Sequence, residues 1–160
     1  MSKRPTAFEI EEYLERYNYI DVINNINKFN GETLECLIIK KEQIGNIFND
    51  FHHHSLYEML YISKGKVQYG IEDERYDLNA GDFVLIAPNI LHKLLKIVEE
   101  PCERIILTFT KKYIDTFKTE NTDLSVIFQK IASSNNHKLT VLPAFKEEIA
   151  DTLNKMQGLF

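Results

Sequence analysis

Cysteine is scarce. There are two, Cys36 and Cys102, and no C-x-x-C pair. That excludes a clustered structural zinc site and argues against a disulfide framework, leaving two buried or half-buried thiols in a reducing compartment. A basic surplus is missing too. The formal net charge is −5, which speaks against a nucleic-acid surface, because phosphate contacts need clustered Lys and Arg. Lys40-Lys41 and Lys111-Lys112 read as solvated loop. No apolar run approaches the ~20 residues of a membrane span. The opening MSKRPTAFEI has no apolar core of a signal peptide. The cytoplasm is therefore the expected compartment, with no membrane partner. Tryptophan is absent, and 8 Tyr and 10 Phe supply the aromatic side chains. Neither internal repeats nor low-complexity tracts occur. At 160 residues the chain suits one soluble domain with a real core.

What is present falls into three stretches. Residues 1–32 read as an N-terminal helical arm. Thr6-Ala7-Phe8-Glu9 has the form of a capping box, and Phe8, Tyr13, Leu14, Tyr17 and Ile20 recur at roughly helical spacing. Residues 33–110 are rich in β-formers. Thr33 to Lys40, Gln43 to Phe48, Leu56 to Ser63, Lys66 to Ile71, Arg75 to Leu78, Phe83 to Ala87, Lys93 to Val98 and Arg104 to Thr110 read as strands. About eight or nine short strands at this spacing suggest a mainly β sandwich or barrel of the jelly-roll kind. Residues 111–160 return to helical spacing. Around Tyr113 and Leu124 short helices are expected, and past Pro143 a clear one carries Phe145, Ile149, Leu153 and Met156 on a single stripe.

The chemistry concentrates in FHHHSLYEMLYISKG, from Phe51 to Gly65. Alternation along a strand puts His52, His54, Leu56, Glu58, Leu60 and Ile62 on one face and His53, Tyr57, Met59 and Tyr61 on the other. The face with Leu56, Leu60 and Ile62 is the inward one, so His52, His54 and Glu58 point inside and His53 points out. Two imidazoles two residues apart can chelate one ion, and a carboxylate can join them. A straight strand would leave Glu58 roughly 13 Å beyond His54. Convergence therefore needs a bend near Ser55, with His92 as a fourth ligand from a neighbouring strand. A buried Glu58 also needs a partner, and Arg104 in CERIILTFT is a candidate. Tyr69 shares the parity of Val67 and Ile71. It either fills space or stacks on a ring. Asp82 reads as a turn residue.

His52-x-His54-x3-Glu58-x6-Gly65 resembles the first motif of the cupin superfamily, and Gly81-Asp82 through Pro88 to His92 resembles the second. The sequence departs from both. The glycine before the histidine pair is displaced to Gly45, Ile90 stands where a glycine would follow the proline, and no Asn follows His92. Together with Tyr57-Glu58, Glu103-Arg104 and Phe109, the series is similar to the N-terminal sensor domain of AraC-type transcription regulators.

That resemblance implies a cupin-type jelly-roll β-barrel with N-terminal helices and a C-terminal helical dimerisation segment. It implies an effector-sensing domain rather than an enzyme, binding a small polar ligand such as a sugar through His52, His54, Glu58, Tyr69, His92 and Arg104. No cofactor is favoured. If a divalent metal is bound, His52, His54, Glu58 and His92 would hold it, and the rival is then a small metal-dependent cupin enzyme, a dioxygenase or isomerase. Phe145, Ile149, Leu153 and Met156 either cover the chain's own barrel or meet a second copy in a homodimer. The dimer is the preferred reading. DNA would be reached only through a helix-turn-helix domain that these residues do not include.

Overall fold

The computed structural model describes residues 36–43, as backbone, and 51–157. The expected N-terminal helices, the strand from 43 to 48 beyond its first residue, Gly45, Leu159 and Phe160 lie outside the described residues. Among these, the chain forms β1 (Cys36–Gln43), β2 (Tyr57–Ile71), β3 (Glu74–Asn79), β4 (Asp82–Ile86) and β5 (His92–Phe109). Then follow α1 (Lys111–Asp115), α2 (Leu124–Ser134), β6 (Lys138–Thr140), a 3-10 turn (Pro143–Phe145) and α3 (Lys146–Gln157). No described helix is long and apolar enough to cross a membrane.

All described strands pair antiparallel in one six-stranded sheet, ordered β1-β5-β2-β4-β6, with β3 against the far half of β2. The sheet curls into the mainly β, cupin-type barrel that the strand pattern predicts. The strands are fewer and longer than their sequence signals. Leu56–Ser63 and Lys66–Ile71 fuse into β2, and Lys93–Val98 and Arg104–Thr110 into β5. Gly65 does not end β2; it bends it. Its φ is +78°, and a Cβ there would meet the Glu99 carbonyl oxygen at 2.6 Å. Only glycine fits that conformation and that approach. The β2–β5 register slips repeatedly between Ile62 and Tyr69, and such bulges add the twist that closes a sheet.

One hydrophobic cluster fills the inside: Leu60, Ile62, Val67, Tyr69, Ile71 and Leu94, with residues from β3, β4 and the rest of β5. The first half of β2 is buried on both faces. Tyr57, with Leu85 and Phe109, lies under Phe128 and Ile131 of α2, and Tyr61, with Ile105, lies under Leu153 of α3. That double burial explains why Phe83 to Ala87 reads as an almost continuous apolar run. Val84 and Ile86 face the interior while Leu85 faces the helices.

Strand β6 was not foreseen. Its three residues follow a polar loop and carry no β-rich run. Side-chain bonds from Asp82 pin it to β4: one oxygen accepts from Thr140 at 2.8 Å, the other pairs with Lys138 at 2.9 Å and accepts the Asn79 amide at 2.7 Å. Asp82 thus does more than shape a turn. The α3 stripe divides. Leu153 is buried, Ile149 and Met156 are partly buried against the same outer face, and Phe145 is 51 % exposed.

Candidate functional site

His52 sits in an isolated bridge with His92, each backbone N–H donating to the other's carbonyl at 3.1 and 2.9 Å. The bridge brings the two rings to 4.3 Å between centroids. The chain then bends at Ser55 and Leu56 before β2 begins. The His54 carbonyl accepts the Asn89 amide at 2.7 Å, which ties the bend to the loop ahead of β5. The bend closes the distance that a straight strand would impose. His54 Nε2 lies 3.1 Å from Glu58 Oε2, and His92 Nε2 lies 3.7 Å from the same oxygen.

The ligand atoms of His54, Glu58 and His92 all fall within 4.8 Å of one another. Among the described residues this is the one group of three His, Cys, Asp or Glu side chains so arranged. Glu58 and His92 are each 1 % exposed. The second nitrogens are anchored. His54 Nδ1 donates to the Leu56 carbonyl at 3.1 Å and His92 Nδ1 to the Ile90 carbonyl at 2.8 Å. A carbonyl only accepts, so the proton of each ring sits on Nδ1 and Nε2 presents a lone pair unless a second proton arrives. Two such lone pairs facing a carboxylate repel it. The arrangement is stable with imidazolium protons between these atoms, or with a cation among them.

Burial by itself would raise the Glu58 pKa. Hydrogen bonds and charge from His54 and His92 overcome that and hold the carboxyl far below the usual carboxylate range. Burial works against a charged His92, but Glu58 overcomes it and the His92 pKa rises. The buried acid takes a hydrogen bond and ion pairs from two imidazoles.

All six expected site residues are buried. Three of them converge; His52 stands against His92; Tyr69 and Arg104 lie further along the interior. Tyr69 pairs across strands with Leu94 within the hydrophobic cluster. Burial, and then the Glu58 charge, push its phenol up and keep it neutral, with Arg104 opposing. Arg104 lies opposite Ile62 on β5, and its charge also acts on the buried thiol of Cys102. His53 is exposed, as its parity requires. Thr108 was missed. It is buried and lies directly across from Glu58. The parity it shares with Arg104 and Ile106 was the available signal. His137, also missed, is fully buried outside the barrel and donates from Nδ1 to the Leu85 carbonyl at 2.8 Å.

A curled antiparallel sheet around a buried histidine–carboxylate cluster defines a cupin-type barrel. The model of the AraC-like ligand binding domain matches residues 37–144. The chain belongs to that family. Among solved structures it is similar to a cupin protein from Bacteroides fragilis (19 % identity, 56 % of this chain and 77 % of that one, TM-score 0.47). It is also similar to a cupin 2 conserved barrel domain protein from Salinispora arenicola (18 %, 52 % and 71 %, TM-score 0.45). A third is KdgF from Halomonas sp. (17 %, 48 % and 71 %, TM-score 0.44). No curated protein sequence matches significantly.

Proposed function

We propose that this chain is the effector-sensing domain of an AraC-type transcription regulator, cytoplasmic and not itself an enzyme. Its effector is a small polar molecule of the sugar class. The observation that carries the reading is the sealed His54–Glu58–His92 cluster inside a barrel of the ligand-binding family. An ionised carboxylate and the Nε2 atoms of imidazoles are polar partners that ligand hydroxyls can bond. His52 beside His92, Tyr69 and Arg104 supply further polar contacts along the same interior. The effector acts by binding two arrangements of the domain with different affinity. Those arrangements reach DNA through a homodimer and a helix-turn-helix domain joined to it. Phe145, exposed at the start of the α3 stripe, is the member of the expected set best placed for a second copy. Ile149, Leu153 and Met156 contribute by seating the helix.

The deciding experiment is a calorimetric titration with a panel of monosaccharides and small hydroxy acids, using wild type and Glu58→Gln. A saturable ligand lost in the variant supports the proposal. A panel without any binder rejects the sugar class.

A second reading has its own observation, the two Nδ1 anchors. They are the backbone contacts that orient metal-binding imidazoles. His54, Glu58 and His92, with His52 adjacent, would hold a divalent cation, which would act there as a Lewis acid. Stoichiometric metal in protein purified without a histidine tag, absent from a His54→Ala variant, would favour a small cupin enzyme over the sensor.

A further inference from the structure

A pocket of about 300 Å³ lies outside the barrel between the sheet and the helices. Its floor is one row across three strands: Leu85 of β4, Met59 of β2 and Leu107 of β5. The adjacent row on the same strands, Ile86, Glu58 and Thr108, belongs to the barrel interior. The pocket thus backs onto the histidine–carboxylate cluster without sharing a residue with it.

Stacked rings hold it open. Tyr57 and Phe109 stack at 5.7 Å with 6° between planes, and Phe128 of α2 meets both edge-on at 5.0 and 5.8 Å. This stack props α2 off the sheet. Both wall helices are fixed at their starts, α1 by the Thr110 cap and α2 by the Asp123 cap and its 2.8 Å pair with Lys118. Collapse of α2 onto the floor would break the ring stack, so the space is preformed.

The geometry points to a binding site for a small neutral apolar molecule. None of the described residues lining the pocket is charged, and an ionised group placed there would lose its hydration without a partner. Both methionines of the described residues, Met59 and Met156, line it. Flexible, polarisable methionines suit a surface that adapts to a guest. A dry cavity of about 150 Å³ with similar lining accepts benzene, so twice that volume suits a two-ring aromatic or a short alkyl chain. A macromolecular partner would need roughly 800 Å² of surface per side. The apolar rim offers only Phe117, Leu124 and Ile127, each between 37 and 50 % exposed.

The test is a titration of the full chain with N-phenyl-1-naphthylamine, a neutral dye that brightens in apolar sites. Wild type, Ile127→Trp and Val126→Trp are compared. Ile127 lines the pocket, whereas Val126 is exposed on the same helix outside it. One dye per chain is expected, weakened by about tenfold or more in Ile127→Trp and unchanged in Val126→Trp. Equal binding by both variants overturns the site. So does the absence of a saturable signal in wild type, which would mean that the chain itself or a second copy already covers the pocket.

Discussion

Replacing Glu58 by Gln keeps the shape of the side chain and removes its charge. In the wild type that charge is held by a 3.1 Å bond to His54 and a 3.7 Å ion pair to His92, all three groups buried. Hydrogen bonds to charged groups contribute about 1.5–3 kcal/mol each, and breaking a buried pair by removing one partner costs about 3–5 kcal/mol. His92 can relieve part of this by giving up its proton, so a net loss of about 2–4 kcal/mol is expected. For a chain of this length each kcal/mol lowers Tm by about 2–4 °C. The variant should therefore melt roughly 5–15 °C lower at pH 6 by circular dichroism. The pH dependence has a definite sign. The Glu58 pKa is depressed from its ordinary 4.5, so its contribution is present above that value and lost as pH falls through the folded pKa. The His92 pKa is raised from 6.5, so its contribution is full below that value and lost as pH rises through the folded pKa. The gap between wild type and variant should peak in the window between these two ordinary values. It should narrow toward strong acid and toward alkaline pH. A variant as stable as wild type at pH 6, or a gap that keeps widening above pH 8, would refute the assignment of these charges.

Four further outcomes follow from the packing. Gly65→Ala places a methyl about 2.6 Å from the Glu99 carbonyl oxygen at a φ of +78°; a loss of at least ~2 kcal/mol is expected in urea unfolding, and a neutral result would mean that the β2 bend is relaxed. Asp82→Ala removes the bonds to Thr140, Lys138 and the Asn79 amide, with an expected cost of about 2–3 kcal/mol and faster amide exchange confined first to β6. Because the Asp82 pKa is lowered from 3.8, against its burial, by the Asn79, Lys138 and Thr140 contacts, that contribution should fade as pH drops below this value. Leu153→Ala empties a buried site under α3 and should cost about 2–4 kcal/mol. Phe145→Ser should leave monomer stability nearly unchanged and weaken self-association in sedimentation runs; the reverse pattern would place the dimer contact elsewhere.

The barrel was legible because its signals are local. β-rich runs, the Gly65 and Gly81 breaks and the apolar stretch Phe83 to Ala87 each point to a strand or a turn without reference to the rest of the chain. What stayed hidden depends on distant partners. Gly65 is a break in sequence but a bend in space, because β5 pairs with β2 on both sides of it. β6 joins the sheet by pairing with β4 and is pinned there by the Asp82 bonds to Lys138 and Thr140, partners that no pattern within three residues can announce. The inward parity of His52, His54 and Glu58 was readable, and so was the need for a bend near Ser55. The convergence of His92 on Glu58 was expected too, but the contact that delivers it, the His52–His92 bridge between residues forty apart, was not.

The central strands carry two kinds of chemistry back to back. Row by row, β4, β2 and β5 present Ile86, Glu58 and Thr108 inward and Leu85, Met59 and Leu107 outward. Both sides are buried, by the barrel on one face and the helices on the other. That is why the sequence there loses the polar-out alternation of a simple sheet. A polar residue that persists on such a strand is therefore conspicuous. Burying Glu58 costs stability unless it is paired, and pairing it required a bend, a bridge and two histidines. A fold needing only a filled barrel would place another leucine at 58. The cost of keeping an acid there is what motivates the binding role proposed for this interior.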